Sequence, residues 1–153
     1  MNPPLRVLFV DDELHRLQAF QRLAAGAGAE IDVRWRACAA VVLDDDLQWA
    51  AAVCLDFMMC AALPGERCPN PPEHWPPHSR VPPPCDCPTG AAVAARIARL
   101  ERPPHVVVHS MSLEGLRLIG DQLLRADVYP KRAPFESWRM DAPAVTWRQM
   151  GLM

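Results

Sequence analysis

No apolar stretch in this chain approaches the length of about 20 residues that a membrane-crossing helix needs. The opening residues, MNPPLRVLFVDDE, lack the basic, apolar and small-residue order of a secretory signal. A preponderance of one charge is also missing. Lys and Arg number 16 against 18 Asp and Glu, and neither sign forms a long run. A net charge of −2 offers no electrostatic basis for gripping a nucleic-acid polymer or a membrane surface. These absences predict a cytoplasmic protein. With 153 residues there is room for one domain with a full core and not for two ordinary ones. Half of the residues are hydrophobic, which is a globular composition.

What is abundant is concentrated. Ten of the 17 prolines fall within residues 64–88, and four of the 6 cysteines (Cys60, Cys68, Cys85 and Cys87) lie in or beside that stretch. Proline removes backbone donors and disfavours helix in the residue before it, so residues 60–88 read as an insert without lasting regular structure. In a reducing compartment clustered thiols favour metal binding or catalysis over disulfides. The four cysteines, with His74 and His78 between them, could hold a structural Zn²⁺ that orders a loop with almost no core of its own. Against this, no C-x-x-C pair occurs, and a loosely packed loop with free thiols is the alternative. The insert leaves the chain directly after Asp56, from where it could close over a pocket as a lid. Cys38 and Cys54 read as small buried residues.

Outside the insert, strand-like and helix-like segments alternate. Residues 5–10 (LRVLFV) form an almost uninterrupted apolar run of the kind a doubly covered parallel strand requires, ending in Asp11-Asp12-Glu13. Leu14, Leu17, Phe20 and Ala24 recur at helical spacing until Gly26 and Gly28. Residues 31–36 predict a weaker, alternating strand, and Asp44, Asp45 and Asp46 a solvated face or turn. Residues 51–55 are apolar and end in Asp56. Val93, Ile97 and Leu100 line a helix, residues 105–109 predict a buried strand, and Ser112 caps a helix with Leu113, Leu116, Gly120 and Leu123 on one side. Residues 127–129 predict a last short strand. The expectation is a doubly wound α/β domain with a five-stranded parallel sheet over residues 1–135. Residues 136–153, which include Pro143, Trp138 and Trp147, should form a tail or short helix packed on it.

In such a fold right-handed crossovers bring the C-terminal ends of the strands to one edge, where ligands bind. Asp11, Asp12, Asp56, His109 and Ser110 fall at that edge, with Lys131 and Arg132 just beyond the last strand. Crowded carboxylates repel one another, and a hard divalent cation such as Mg²⁺ resolves the repulsion by taking oxygen ligands. Asp11, Asp12 and Asp56 would hold it, while His109, Ser110 and Lys131 or Arg132 would contact phosphate oxygens. Asp56 is then the natural nucleophile toward a phosphoryl group. Singly, each acid is more simply a turn or a cap, and Asp12 could cap the first helix.

The stretch VDDE at residues 10–13 resembles the acidic pair that opens response-regulator receiver domains, and Asp56-Phe57-Met58-Met59 is similar to their D-x-x-M phosphoacceptor segment. Ser110 and Lys131 fall near their hydroxyl and lysine positions. HSMSLEGLRLIGDQLL followed by RAPF is more similar to a divergent branch, the cyclic-phosphate-processing receiver domains. The resemblance implies a flavodoxin-like receiver fold and Mg²⁺ at the three aspartates. Its departures are the insert after Met59, the absence of the branch's L-D-H-D-L, and a lysine outside the usual K-P context. Three readings follow. The first is a stand-alone domain that binds Mg²⁺ and a phosphate-bearing small molecule, such as a cyclic phosphate or nucleotide, with or without processing it. The second is a signalling receiver in which Asp56 takes a phosphoryl group from a phosphodonor protein. The third is a scaffold that uses the Cys/His/Pro-rich loop to bind partners.

Overall fold

A computed structural model describes residues 2–57, 88–110 and 112–153. Most of the Pro/Cys-rich insert, including all four candidate zinc ligands, lies outside the described residues. The described elements run β1 (Leu5–Val10), α1 (Leu14–Gly26), β2 (Ile31–Arg36), α2 (Asp44–Trp49), β3 (Ala52–Leu55), α3 (Gly90–Ile97), β4 (His105–Val108), α4 (Leu113–Leu124), β5 (Lys131–Arg132) and α5 (Pro143–Gln149). The strands make one sheet in the order β2-β1-β3-β4-β5, and every pairing is parallel. This is the doubly wound architecture expected from the alternation of apolar runs and helical periodicity.

The three central strands are apolar and buried over residues 7–10, 52–55 and 106–108, because both faces of the sheet are covered there, while Arg6 and His105 stand at the strand starts. Successive side chains point to opposite faces. Leu8, Val10, Val53, Leu55, Val106 and Val108 pack with Leu47 of α2, Val93 and Ile97 of α3 and Ile119 and Leu123 of α4. Val7, Phe9, Ala52, Cys54 and Val107 pack on the other face with Leu17, Phe20 and Leu23 of α1 and Trp147 of α5. Cys38 and Cys54 are both buried in these cores, and burial pushes the Cys54 thiol up.

Three local expectations are corrected. The last strand is Lys131–Arg132 and not residues 127–129. Those residues are spent on closing α4: Asp127 has φ 55° and the Val128 amide bonds back to the Leu123 carbonyl, so the chain turns there and cannot extend. The acidic triplet opens α2, and only two of its three acids lie on a solvated face. Asp44 and Asp45 face solvent, but Asp46 is fully buried, because Arg36 of β2 reaches it at 2.7 and 2.8 Å and the Leu43 amide donates to it at 2.9 Å. On α4 the buried positions are Gly115, Ile119 and Leu123, four apart, while Leu113 is exposed. Within residues 136–153, Pro143 starts α5. At the first helical position a proline's missing N–H costs nothing and its φ is already helical.

Candidate functional site

Two of the three central strands each deliver a carboxylate to the C-terminal edge. Asp11 follows β1 and Asp56 follows β3, and the two strands are adjacent and parallel. Asp12 stands next to Asp11 and is partly exposed. One oxygen from each of Asp11, Asp12 and Asp56 can be chosen so that all three lie within 4.8 Å of one another. His109 and Ser110 leave β4, which pairs with β3, and arrive at the same place. Together with Glu13, Arg16 and Ser112 these residues, Asp11 apart, line a crevice of about 300 Å³.

The Asp56–Phe57 turn depends on two glycines elsewhere in the chain. A Cβ on Gly90, the first residue of α3, would run into the Asp56 carbonyl oxygen, and one on Gly115 of α4 would run into the Phe57 ring. The Gly90 amide donates to the Phe57 carbonyl at 2.9 Å, tying the far side of the insert to the residue after Asp56. Thr89 and Ser112 cap α3 and α4, accepting from Ala91 and Gly115 at 3.2 and 3.0 Å.

Asp11 is the most tightly held group. Its Oδ1 accepts the Glu13 amide at 2.8 Å, so Asp11 and not Asp12 supports the start of α1. Its Oδ2 accepts from His109 Nε2 at 2.7 Å and from Arg16 at 3.2 Å. The Trp35 indole N–H donates to the Asp11 carbonyl at 2.7 Å. Burial pushes the Asp11 carboxyl up, but the His109 hydrogen bond, its charge and the Glu13 amide outweigh that and leave it below the usual carboxylate range. Asp12 has no such support. Burial and the neighbouring Asp11 and Asp56 push it up to about 6. Asp56 is also raised, chiefly by burial, with His109 and Arg16 pulling the other way. The site thus carries more negative charge than its own donors neutralise, and its ligand atoms are all hard oxygens. That donor set fits a divalent cation of the Mg²⁺ kind.

His109 is buried and stacks on Phe9 at 5.1 Å between ring centroids. Nε2 carries the proton in its bond to Asp11, and buried Nδ1 has no hydrogen-bond partner among the described residues. Among the described residues its polar contact is therefore with the Asp11 carboxylate. Ser110 is buried and its hydroxyl accepts the Ser112 amide at 3.2 Å.

The two β5 cations are not brought to the crevice. Lys131 and Arg132 are exposed and form the strand itself. Lys131 is level with Val107, and a side chain at Gly151 would meet both its Cγ and the His105 ring at the start of β4. The residue before Pro134 is Ala133, fully buried and uncharged. The cation that does arrive is one the sequence reading missed. Arg16, in the first turn of α1, sits 3.2 Å from Asp11 and 3.4 Å from Asp56, with its guanidinium 5.6 Å from the centroid of the Phe135 ring. A usable signal existed: a cation in a helix's first turn opposes the macrodipole and calls for nearby acids.

A second crevice of about 370 Å³ lies by Asn2, Pro3, Gly28 and Leu152 and gathers only one ionisable side chain, Glu30. No helix among the described residues is long and apolar enough to cross a membrane.

A five-stranded parallel sheet in this order, with acids at the ends of its first and third strands, defines the flavodoxin-like receiver fold. The structure is similar to a response regulator receiver domain from Rhodospirillum rubrum, with a TM-score of 0.55 and 16% identity over 97% of this chain and 92% of that one. It is also similar to the signal receiver domain of a protein described as a Luxo repressor from Vibrio parahaemolyticus, with a TM-score of 0.51 and 14% identity over 98% of this chain and 95% of that one. A third similarity is to DrrB of Thermotoga maritima, an OmpR/PhoB homolog, with a TM-score of 0.50 and 15% identity over 86% of this chain. The chain spans about half of DrrB, 46% of its length. No protein-family model and no curated protein matches the sequence. At these identities the likeness establishes the fold.

Proposed function

We propose that this chain is a receiver-type domain in which Asp56 accepts a phosphoryl group with the help of a divalent cation held by Asp11, Asp12 and Asp56. The observation that carries the reading is the convergence of the three carboxylates, with mutual oxygen distances within 4.8 Å, on the turn that begins with Asp56. A bound cation of this kind supplies charge neutralisation at the phosphoryl oxygens. The protein's own part is positional. Asp11 is fixed by His109 and the Glu13 amide, so one ligand is oriented before anything binds. An Asp56 oxygen attacks phosphorus, the bond from phosphorus to the donor's oxygen or, in a phosphohistidine, its ring nitrogen breaks with its electron pair left on the donor, and an acyl phosphate results. The phosphodonor is then a phosphorylated protein or a small acyl phosphate.

The experiment is intact-mass spectrometry after incubation with acetyl phosphate and Mg²⁺, comparing wild type with Asp56→Asn. We expect a single phosphoryl adduct in the wild type and none in the variant. An adduct that persists in Asp56→Asn, or none from folded wild type, overturns the reading.

A second reading, a phosphate-bearing small molecule bound in the same crevice and processed or not, draws on the crevice volume of about 300 Å³ and on the guanidinium at its wall. Calorimetric titration with cyclic nucleotides in the presence of Mg²⁺ separates it from the first, because binding there requires no adduct on Asp56.

A further inference from the structure

The phosphoryl group brings more negative charge to a place already crowded with it. An acyl phosphate at Asp56 exchanges one carboxylate charge for roughly two on phosphate oxygens. Some protein cation must meet them, and the last strand supplies none: Ala133 stands before Pro134, while Lys131 and Arg132 lie exposed on β5 and line no part of the crevice. Among the described residues Arg16 is the one Lys or Arg in the crevice wall.

The surroundings of Arg16 suit the task. Its NH1 is shared between Asp11 and Asp56 at 3.2 and 3.4 Å, which are long contacts for charge-assisted bonds. Its Nε is buried with no hydrogen-bond partner among the described residues; the nearest acid, Glu13, stands at 3.6 Å, beyond bonding distance. The guanidinium therefore holds donors in reserve beside the acceptor oxygen, in the planar fork that matches a phosphate edge. The Phe135 ring beneath it, at 5.6 Å, and the first turn of α1 fix where it can swing. Its side chain keeps 22% of its surface open to solvent, so an incoming phosphate can reach it.

Building on the reading of Asp56 as acceptor, we infer that Arg16 is the catalytic cation of this pocket, turning from the Asp11–Asp56 pair to the phosphoryl oxygens as Asp56 is phosphorylated. The cation of the site thus comes from the first helix and not from the last strand. As phosphorus passes from donor to Asp56, charge grows on the oxygens nearest NH1 and Nε, so the contacts strengthen during transfer.

The test compares wild type, Arg16→Gln, Arg16→Lys and the double variant Arg16→Gln with Ala133→Lys, all checked for thermal unfolding. Two quantities are read: the rate of phosphoryl uptake from acetyl phosphate with Mg²⁺, and Mn²⁺ affinity without any phosphodonor. Arg16→Gln keeps much of the stem over Phe135 and should slow uptake roughly 10²-fold, the loss typical of one transition-state donor. Mn²⁺ affinity should hold or rise, because a cation that repels the metal has gone. Arg16→Lys should keep part of the rate, and the lysine introduced at position 133 should restore part of what Arg16→Gln loses. Unchanged uptake in Arg16→Gln overturns the assignment, as does a slow rate matched by an equal loss of Mn²⁺ affinity, which would make Arg16 a support of the metal site only. Absence of any adduct in folded wild type removes the acceptor reading itself, and this inference with it.

Discussion

Asp46 shows how much one residue's surroundings decide. As the last acid of a run of three it reads like a solvated charge, yet it is buried and receives Arg36 through two nitrogens and Arg34 at 3.3 Å. Burial alone would raise its carboxyl, but the Arg36 hydrogen bonds, the Leu43 amide and the arginine charges outweigh burial and lower it. A carboxyl lowered in the folded state contributes stability that is complete above the unfolded value of about 3.9 and is lost as pH falls through the folded one. Asp46→Asn should therefore cost about 3 kcal/mol at neutral pH, since it strips a charge partner from Arg36. The gap between variant and wild type should narrow below about pH 4. Urea titrations at pH 7 and pH 3 check both. At the crevice the same lesson holds in reverse. Asp11, Asp12, Asp56, His109 and Ser110 were legible as a group from their places after apolar runs, whereas Arg16 was not, because helix phase and rotamer decide whether a first-turn cation meets the acids or solvent.

Among the elements, α4 offers the sharpest contrast. Gly115 and Gly120 are both helical glycines, and helix propensity alone would favour alanine at each by roughly 1 kcal/mol. Nothing lies within 4 Å of a Cβ at Gly120, while one at Gly115 meets the Phe57 ring. Gly120→Ala should stabilise the protein by about 0.5–1 kcal/mol. Gly115→Ala should destabilise it by about 2 kcal/mol through overpacking against the turn that presents Asp56. Opposite shifts in the denaturation midpoint would bear this out; two shifts of the same sign would not. The central strands were legible because each is a short, largely apolar run that ends abruptly in a polar residue, Asp11, Asp56 or His109, too short for a helix. The two-residue β5, with both side chains exposed, carries no such pattern, and its place is set by backbone pairing with Val107 and Val108.

At the scale of the molecule, the two core layers do not share the chain equally. The layer under α1 is completed from the far end of the sequence, by Trp138, Trp147 and Met150, all buried, with Pro143 packed against Gly26. The His105 ring nitrogen Nε2 lies 2.7 Å from the Met150 carbonyl and ties the last turn to the start of β4. We propose that residues 136–153 belong to the same cooperative unit as the sheet. Trp147→Ala should cost about 3–5 kcal/mol. A chain ending at residue 135 should lose its cooperative thermal transition; a sharp transition near the wild-type temperature would show the receiver-like part to be independent.

By itself the sequence determined the α/β alternation, the parallel central strands and the placing of acids after two of them, because hydrophobic periodicity and chain order are properties of the covalent chain. Which cation faces those acids, which aspartate of three is buried, and which glycines let the Asp56 turn form were decided only in three dimensions. Each of those depends on residues ten or more positions apart meeting at one point: Arg16 with Asp56, Arg36 with Asp46, Gly115 with Phe57. No local pattern records such a meeting, since packing and electrostatics act on distance in space and not on distance along the chain.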